Sequence, residues 1–437
     1  MTDDPDGIKK GPARLEIKRL LIYKALIIHQ KSVNNMLKRD LGARYNPLFF
    51  LAALGAGGLT VSFFLYPMFL VEHPDTAMVT FNHLWPILTG PVSLESVLLG
   101  LDLLAVLFFA MLHFRLLAWN IREYRRFRQT DAYATLRDSN AEISLMAIPL
   151  TLAMTVNTMF VLGALFVPNL WSVVEYLFPF ALLAFGAIGI YALKILTTYF
   201  ARTLTNGNVD FSTNNSLAPM IAIFALAMIA VGLAAPAAMS HNTASITLGM
   251  LGSLFFLTIA VLLAIVKLVH GFQAMMAKGI NEAASPSLWI LIPILTLMGI
   301  TWIRLAHGLQ HGFDEPMNFT GLLVLTAVIL SAQLLFGLIG YAVMSRLGYF
   351  EHYTKGDKGN AGTFSLICPG VALFVFGLFF VHVGLIHNGL IEHSSWAHYA
   401  VMIPFVLVQA KTVEVMLRIK RNILHAEPTV QARTAEG

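Results

Sequence analysis

The sequence has little charge and almost no cysteine. Asp, Glu, Lys and Arg make up 12% of its 437 residues, whereas hydrophobic residues make up 57%. Water-soluble domains carry about twice this share of charged residues, so the composition excludes that class and indicates a polytopic membrane protein. The single cysteine, Cys368, excludes an internal disulfide bond and any CxxC metal or redox motif.

Signatures of soluble enzymes and of secretion are also absent. The chain contains no GxGxxG followed by an acidic residue in a βαβ context, no GxxxxGK[ST], no HExxH and no GxSxG. We therefore expect that the protein is not an enzyme. Residues 1–46 are polar and basic and lack a short apolar core before a cleavage site, so no removable signal peptide is expected.

Ten apolar stretches are each long enough to cross about 30 Å of hydrocarbon as a helix. They are too long and too continuously apolar for barrel strands, and helices satisfy every backbone hydrogen bond within the bilayer. The sequence thus predicts an all-α polytopic membrane protein. The ten predicted spans are 47–71, 94–120, 143–167, 171–199, 217–239, 245–270, 287–307, 319–345, 363–388 and 397–418.

The positive charges lie on one side of these spans. The net charge of +5 could suggest a nucleic-acid partner, but ten of the 29 Lys and Arg residues lie between Lys9 and Arg44. Five connections contain neither Lys nor Arg: 72–93, 168–170, 240–244, 308–318 and 389–396. The positive-inside rule explains this distribution without nucleic acid. It predicts a protein of the cell (inner) membrane with both termini in the cytoplasm.

The predicted spans divide the chain into three parts. Residues 1–46 are predicted to form a cytoplasmic basic segment, and residues 47–418 a ten-helix transmembrane domain. Residues 419–437 are predicted to form a disordered cytoplasmic tail. In the first part, Lys and Arg alternate with Leu and Ile at helical intervals. This pattern indicates an amphipathic helix that lies on the membrane surface or packs on the cytoplasmic ends of the bundle.

Proline recurs early in the odd-numbered spans. Pro149, Pro219, Pro293 and Pro369 are spaced by 70, 74 and 76 residues, and Pro47 opens the first span. This period predicts a two-helix unit repeated five times, with five equivalent helices around a centre. Pro47 and Pro219 can simply begin a helix. The apolar residues before Pro293 and Pro369 favour a local bend that faces protein or a water-filled cavity.

Ten spans in five hairpins, cytoplasmic termini and early prolines in the odd spans resemble the tellurite-resistance/dicarboxylate transporter family, which includes the slow-type anion channels. The resemblance covers about 47–418. It implies a central pore lined by the odd helices, assembly as a homo-oligomer, often a trimer, and passage of small anions or organic acids.

The family also suggests where the pore closes. Its members place a plugging phenylalanine beside the proline of the ninth span, whereas Cys368 precedes Pro369 here. Phe364 and Phe374 are the candidate constrictions, because a bulky ring can block a narrow path by packing alone. We expect Cys368 to be a small packing residue.

Polar groups in the odd spans are candidates for anion selectivity. An anion in a low-dielectric pore needs cations or hydrogen-bond donors. Arg304 is the one cation toward the outer side and could attract anions, although pairing with Asp314 or Glu315 is an equal alternative. Asp102 could relay protons or form an interhelical hydrogen bond. The other candidates for the selectivity site are Thr155, Asn157, Thr296 and Ser365.

Histidines are frequent on the outer side. His307 and His311 lie at i and i+4, and the stretch that ends the next odd span contains His382, His387, His393 and His398. The candidate metal ligands are His307, His311, His382 and His387. Such histidines can bind a transition metal, carry protons near neutral pH, or simply hydrogen-bond to loops and lipid headgroups. No motif fixes a metal geometry, so no cofactor is predicted beyond this metal option.

We therefore expect an anion channel or secondary transporter for small inorganic anions or small carboxylates. The alternative is a membrane protein that binds metal or haem through its outer histidines. A third hypothesis, a membrane sensor or assembly factor, depends on the basic N-terminal segment alone.

Overall fold

The computed structural model describes residues 37–206 and 215–425. Ten helices within these ranges are long and apolar enough to cross a membrane, which confirms the predicted number of spans. No β-strand occurs in the described ranges. The spans are α1 Pro47–Leu70, α2 Leu94–Phe127, α3 Asn140–Phe166, α4 Leu170–Asn206, α5 Ala218–Met239, α6 Thr243–Lys278, α7 Glu282–Phe313, α8 Phe319–Arg346, α9 Ala361–Ile386 and α10 Trp396–Leu424.

The first and the last residue that the structure describes meet at one end of the bundle. Leu37 and His425 form an antiparallel bridge, and the Lys38 amide donates to the Leu424 carbonyl at 2.8 Å. We call this the proximal end, and we call the opposite end, where each odd span leads into the next even span, the distal end. Most of the predicted N-terminal amphipathic helix, and the predicted tail beyond His425, lie outside the described residues.

The odd and even spans differ in burial. In the most hydrophobic 18-residue window of each helix, 78, 56, 83, 61 and 72% of residues are buried in the odd spans, against 39, 22, 28, 22 and 22% in the even spans. The exposed side chains of the even spans are themselves apolar, as Leu104, Phe180 and Ile190 illustrate. An apolar exterior of this size requires lipid around it. The chain is therefore a multi-pass membrane protein.

The odd spans pack against one another in a closed ring. Each of them contacts the next in the order α1, α3, α5, α7 and α9, and α9 contacts α1 again. Each odd span also packs against the even span that follows it in sequence. The even spans thus lie mainly outside, between the ring and the lipid.

The recurring prolines mark a change in helix type. All five odd spans begin with a 3₁₀ segment. In α3, α7 and α9 the α-helical part starts two residues before Pro149, Pro293 and Pro369. Pro47 and Pro219 lie within the 3₁₀ segments themselves. Each proline therefore lies at the start of a helix, where its missing N–H costs little, and none of these five kinks the middle of a span.

Candidate functional site

The ring of odd spans encloses a cavity of about 620 Å³. All five odd spans contribute to its wall, which reaches from Gly55 and Cys368 on the proximal side to the distal connections, where His73 and His393 line it. A cavity of this volume lies within the usual range of roughly 300–1,000 Å³ for small-molecule sites. It is the natural candidate for the functional site.

Aromatic and sulfur-containing side chains form much of the cavity wall. Phe160, Phe224 and Met228 come from odd spans, but Phe178 and Phe185 come from α4. An even span thus contributes to a wall that the sequence assigns to odd spans alone. Phe185 reaches the wall because it packs on Gly232, where a Cβ would lie 2.1 Å from its ring. Spans that are apolar on every face give no periodic signal for such inward-facing residues.

Among the described residues that line the cavity, Arg304 is the one whose side chain carries a permanent charge. It lies on α7, is partly buried, and donates from Nη1 to the Val231 carbonyl of α5 at 2.7 Å. Within residues 37–206 and 215–425 this is its single hydrogen bond, and no carboxylate lies within ion-pair distance. The alternative of pairing with Asp314 or Glu315 is thus not seen. A guanidinium has five N–H donors, so most of its donor capacity is available to a ligand.

Histidines also line the cavity wall at the distal mouth. His307 and His311 follow Arg304 on α7, and His73 and His387 line the same part of the wall. His387 donates from Nδ1 to the His382 carbonyl at 2.7 Å and stacks on Phe319. The part of the wall formed by described residues contains no Asp or Glu. Among the described residues of the wall, Arg304 is therefore the one permanent charge beside these histidines.

Of the histidines proposed from sequence as metal ligands, one belongs to a compact group. His382 lies with His393 and His398, and one ring nitrogen of each lies within 4.8 Å of the others. His307, His311 and His387 belong to no such group among the described residues. His393 and His398 are outer histidines in the sequence but not among the predicted ligands, because their contact with His382 depends on the path of the loop between α9 and α10.

The four polar candidates for selectivity divide into two pairs. Asn157 and Thr296 line the cavity, whereas Thr155 and Ser365 do not. The Thr155 hydroxyl packs against α2, 3.0 Å from Nε2 of the buried His113. Thr296 donates to the Ala372 carbonyl of α9 at 3.0 Å, so its hydroxyl already serves helix packing. Asn157 is the more available donor, because the acceptor that its amide nitrogen contacts is a weak one, the Met228 sulfur at 3.6 Å.

The two candidate constrictions are both fully buried, and neither lines the cavity. Phe374 points away from it, because its ring packs against Tyr66 at a centroid distance of 5.4 Å. Phe364 lies one helical turn on the proximal side of Cys368, where the cavity ends. Cys368 is a free, buried thiol in the wall, and of the four prolines only Pro293 reaches the wall.

Asp102 lies on α2 with both carboxylate oxygens buried. Neither oxygen has a hydrogen-bond partner among the described residues. The nearby Tyr66 hydroxyl donates to Gln409 at 2.6 Å instead. The expected interhelical hydrogen bond is therefore not formed, and Asp102 does not line the cavity.

Comparison of the chain with protein families, with curated proteins and with solved structures gives no match. The functional interpretation therefore depends on the cavity itself.

Proposed function

We propose that the protein is a membrane channel or transporter that passes small anions through the cavity between the odd spans. The observation that carries this proposal is Arg304, a partly buried cation in an apolar wall without a carboxylate partner among the described residues. A charge removed from water is costly unless it is paired. An anion that enters the cavity would supply this missing partner.

The chemistry of the wall favours one class of anion. One permanent cation can neutralise a single negative charge, and the surrounding Phe and Met side chains offer apolar contact rather than hydrogen bonds. A monoanion loses less solvation free energy on entering such a site than a dianion does, and the hydrocarbon part of a monocarboxylate can contact the Phe and Met side chains. A dianion would keep an uncompensated charge there. We therefore place monocarboxylates before sulfate-like or dicarboxylate substrates.

The architecture supports the same proposal. A closed ring of five odd spans, each with a 3₁₀ start, is what a five-hairpin repeat of the tellurite-resistance/dicarboxylate transporter type would produce. In this interpretation the cavity is the distal part of a pore, and the cation-free distal connections face away from the cytoplasm.

Flux through proteoliposomes tests the proposal. We expect uptake of acetate, benzoate, nitrate or chloride above empty vesicles, with benzoate or acetate preferred. Arg304→Gln removes a charged hydrogen-bond donor worth about 1.5–3 kcal/mol, which corresponds to a roughly ten- to hundredfold weaker apparent affinity. Arg304→Lys should retain part of the activity.

Arg418→Gln is the matched control, because Arg418 pairs with Glu414 on the outer span α10 and does not line the cavity. Its flux should equal that of the wild type. The proposal is refuted if wild-type protein carries none of the four anions, or if Arg304→Gln carries them with unchanged affinity.

A further inference from the structure

Three histidines meet at the distal mouth, and two of them, His382 and His393, line the cavity wall. His382 comes from the end of α9, His393 from the loop that follows, and His398 from the first turn of α10. The Nε2 atoms of His382 and His398 lie 3.1 Å apart. Two ligand nitrogens of a tetrahedral metal ion are separated by a similar distance when each metal–nitrogen bond is about 2.0–2.1 Å long.

Two of the three rings are already oriented as metal ligands usually are. His382 donates from Nδ1 to the Leu378 carbonyl at 2.9 Å, which leaves Nε2 as the free lone pair. His393 has Nε2 3.0 Å from the Phe69 carbonyl, so Nδ1 carries the lone pair. This Nδ1 now accepts the Ser394 hydroxyl at 3.0 Å, and the hydroxyl has to rotate away before Nδ1 can bind a metal ion. Metal-bound histidines typically donate their second N–H to such a carbonyl, because this fixes the tautomer and the ring orientation.

His382 is also held in place by packing. Its ring stacks on Phe69 of α1 with a centroid distance of 4.2 Å and an interplanar angle of 11°. His398 is fully buried, whereas His393 is exposed. The group therefore combines two fixed ligands with one that a metal ion can reach from the loop side.

His398 can bind a metal ion only after its ring proton moves from Nε2 to Nδ1. Its Nδ1 accepts the backbone N–H of Ser394 at 3.0 Å, so the neutral ring carries its proton on Nε2 and donates it to Nε2 of His382. Ligation through Nε2 moves this proton to Nδ1, where it would face the Ser394 N–H. The Ser394 hydrogen bond must then break.

We propose that His382, His393 and His398 bind one divalent transition-metal ion of the zinc class. Three neutral imidazoles suit Zn²⁺, Cu²⁺ or Ni²⁺, whereas Mg²⁺ and Ca²⁺ prefer oxygen ligands that this group lacks. A fourth tetrahedral position remains for water or an anion. The bound ion links α9, the 387–395 loop and α10 at the mouth of the cavity, and this site is independent of Arg304 and of transport.

The test measures zinc directly on untagged, full-length protein in detergent. After equilibrium dialysis against micromolar ZnCl₂, elemental analysis should give one zinc ion per chain, and titration calorimetry should give a saturable isotherm. His393→Ala and His398→Asn should each weaken binding roughly tenfold or more, since each removes a ligand. Asn at residue 398 can still accept the Ser394 N–H, so this variant keeps the loop contact.

His241→Ala is the control, because His241 is an exposed histidine of another distal connection. It should bind zinc as the wild type does. Hydrogen–deuterium exchange of residues 389–398 should change on zinc addition in the wild type and stay unchanged in His398→Asn. Wild-type protein without stoichiometric zinc, or His398→Asn protein that binds zinc as tightly as wild type, would overturn the proposal.

Discussion

Gly57 should tolerate no side chain, because three neighbours fill the space beside it. A Cβ at this position would lie 2.7 Å from Cγ of Met154, 2.8 Å from Nδ1 of His113 and 3.0 Å from Oγ1 of Thr158. Gly57→Ala must therefore separate α1 from α2 and α3 or displace His113, whose Nδ1 donates to the Ala53 carbonyl at 2.8 Å. Overpacking costs about 1–3 kcal/mol, and a lost buried hydrogen bond costs about 1–3 kcal/mol more.

A total of roughly 2–6 kcal/mol is a large part of the usual stability of about 5–15 kcal/mol. Thermal unfolding in detergent, followed by size-exclusion chromatography, should show a clearly lower midpoint and less monodisperse protein. Gly58→Ala is the matched control, since the three atoms nearest to its Cβ would all belong to Val371, with the nearest methyl at 3.1 Å. Gly58 lines the cavity, so this variant should fold but carry less anion. Equal unfolding midpoints for the two variants would refute the reasoning.

Two further predictions concern the path through the protein. Phe364→Ala should increase anion-dependent current several-fold, whereas Phe374→Ala should leave it unchanged. Of the two, only Phe364 lies directly beyond the proximal end of the cavity. Equal currents in the two folded variants would contradict this prediction. Asp102→Asn should leave anion flux unchanged with and without a pH gradient, because Asp102 does not line the cavity. Loss of gradient-driven uptake in Asp102→Asn would instead support a proton relay.

The spans were predictable because a bilayer imposes a simple length requirement. A helix of about twenty apolar residues crosses the hydrocarbon, and the ten runs found in the sequence match the ten helices within a few residues at most ends. The even spans α2, α4 and α6 extend furthest beyond the prediction, at their proximal ends. Their last turns are polar and lie past the hydrocarbon, so hydropathy alone does not detect them.

The cavity wall was not predictable to the same extent. Arg304, Asn157 and Thr296 stand out in apolar spans because they are polar, and all three reach the wall. Phe178 and Phe185 of α4 do not stand out, because apolar residues that face lipid and apolar residues that face a cavity look alike in the sequence. The histidine group depends on tertiary contact between α9 and α10, and sequence spacing carries no information about that contact.

The proposed anion site and the proximal end of the cavity lie apart, so anion binding and anion flux can be measured separately. Arg304 and the histidines lie in its distal half, while Gly55 and Cys368 mark its proximal limit. One turn further, Leu51 and Phe364 are buried, so this conformation is closed toward the proximal end. Under the proposed function, an anion therefore reaches Arg304 from the distal side without crossing the membrane. Binding should then be measurable in detergent even where flux is slow, and Phe364→Ala should change flux while leaving the affinity set by Arg304 unchanged.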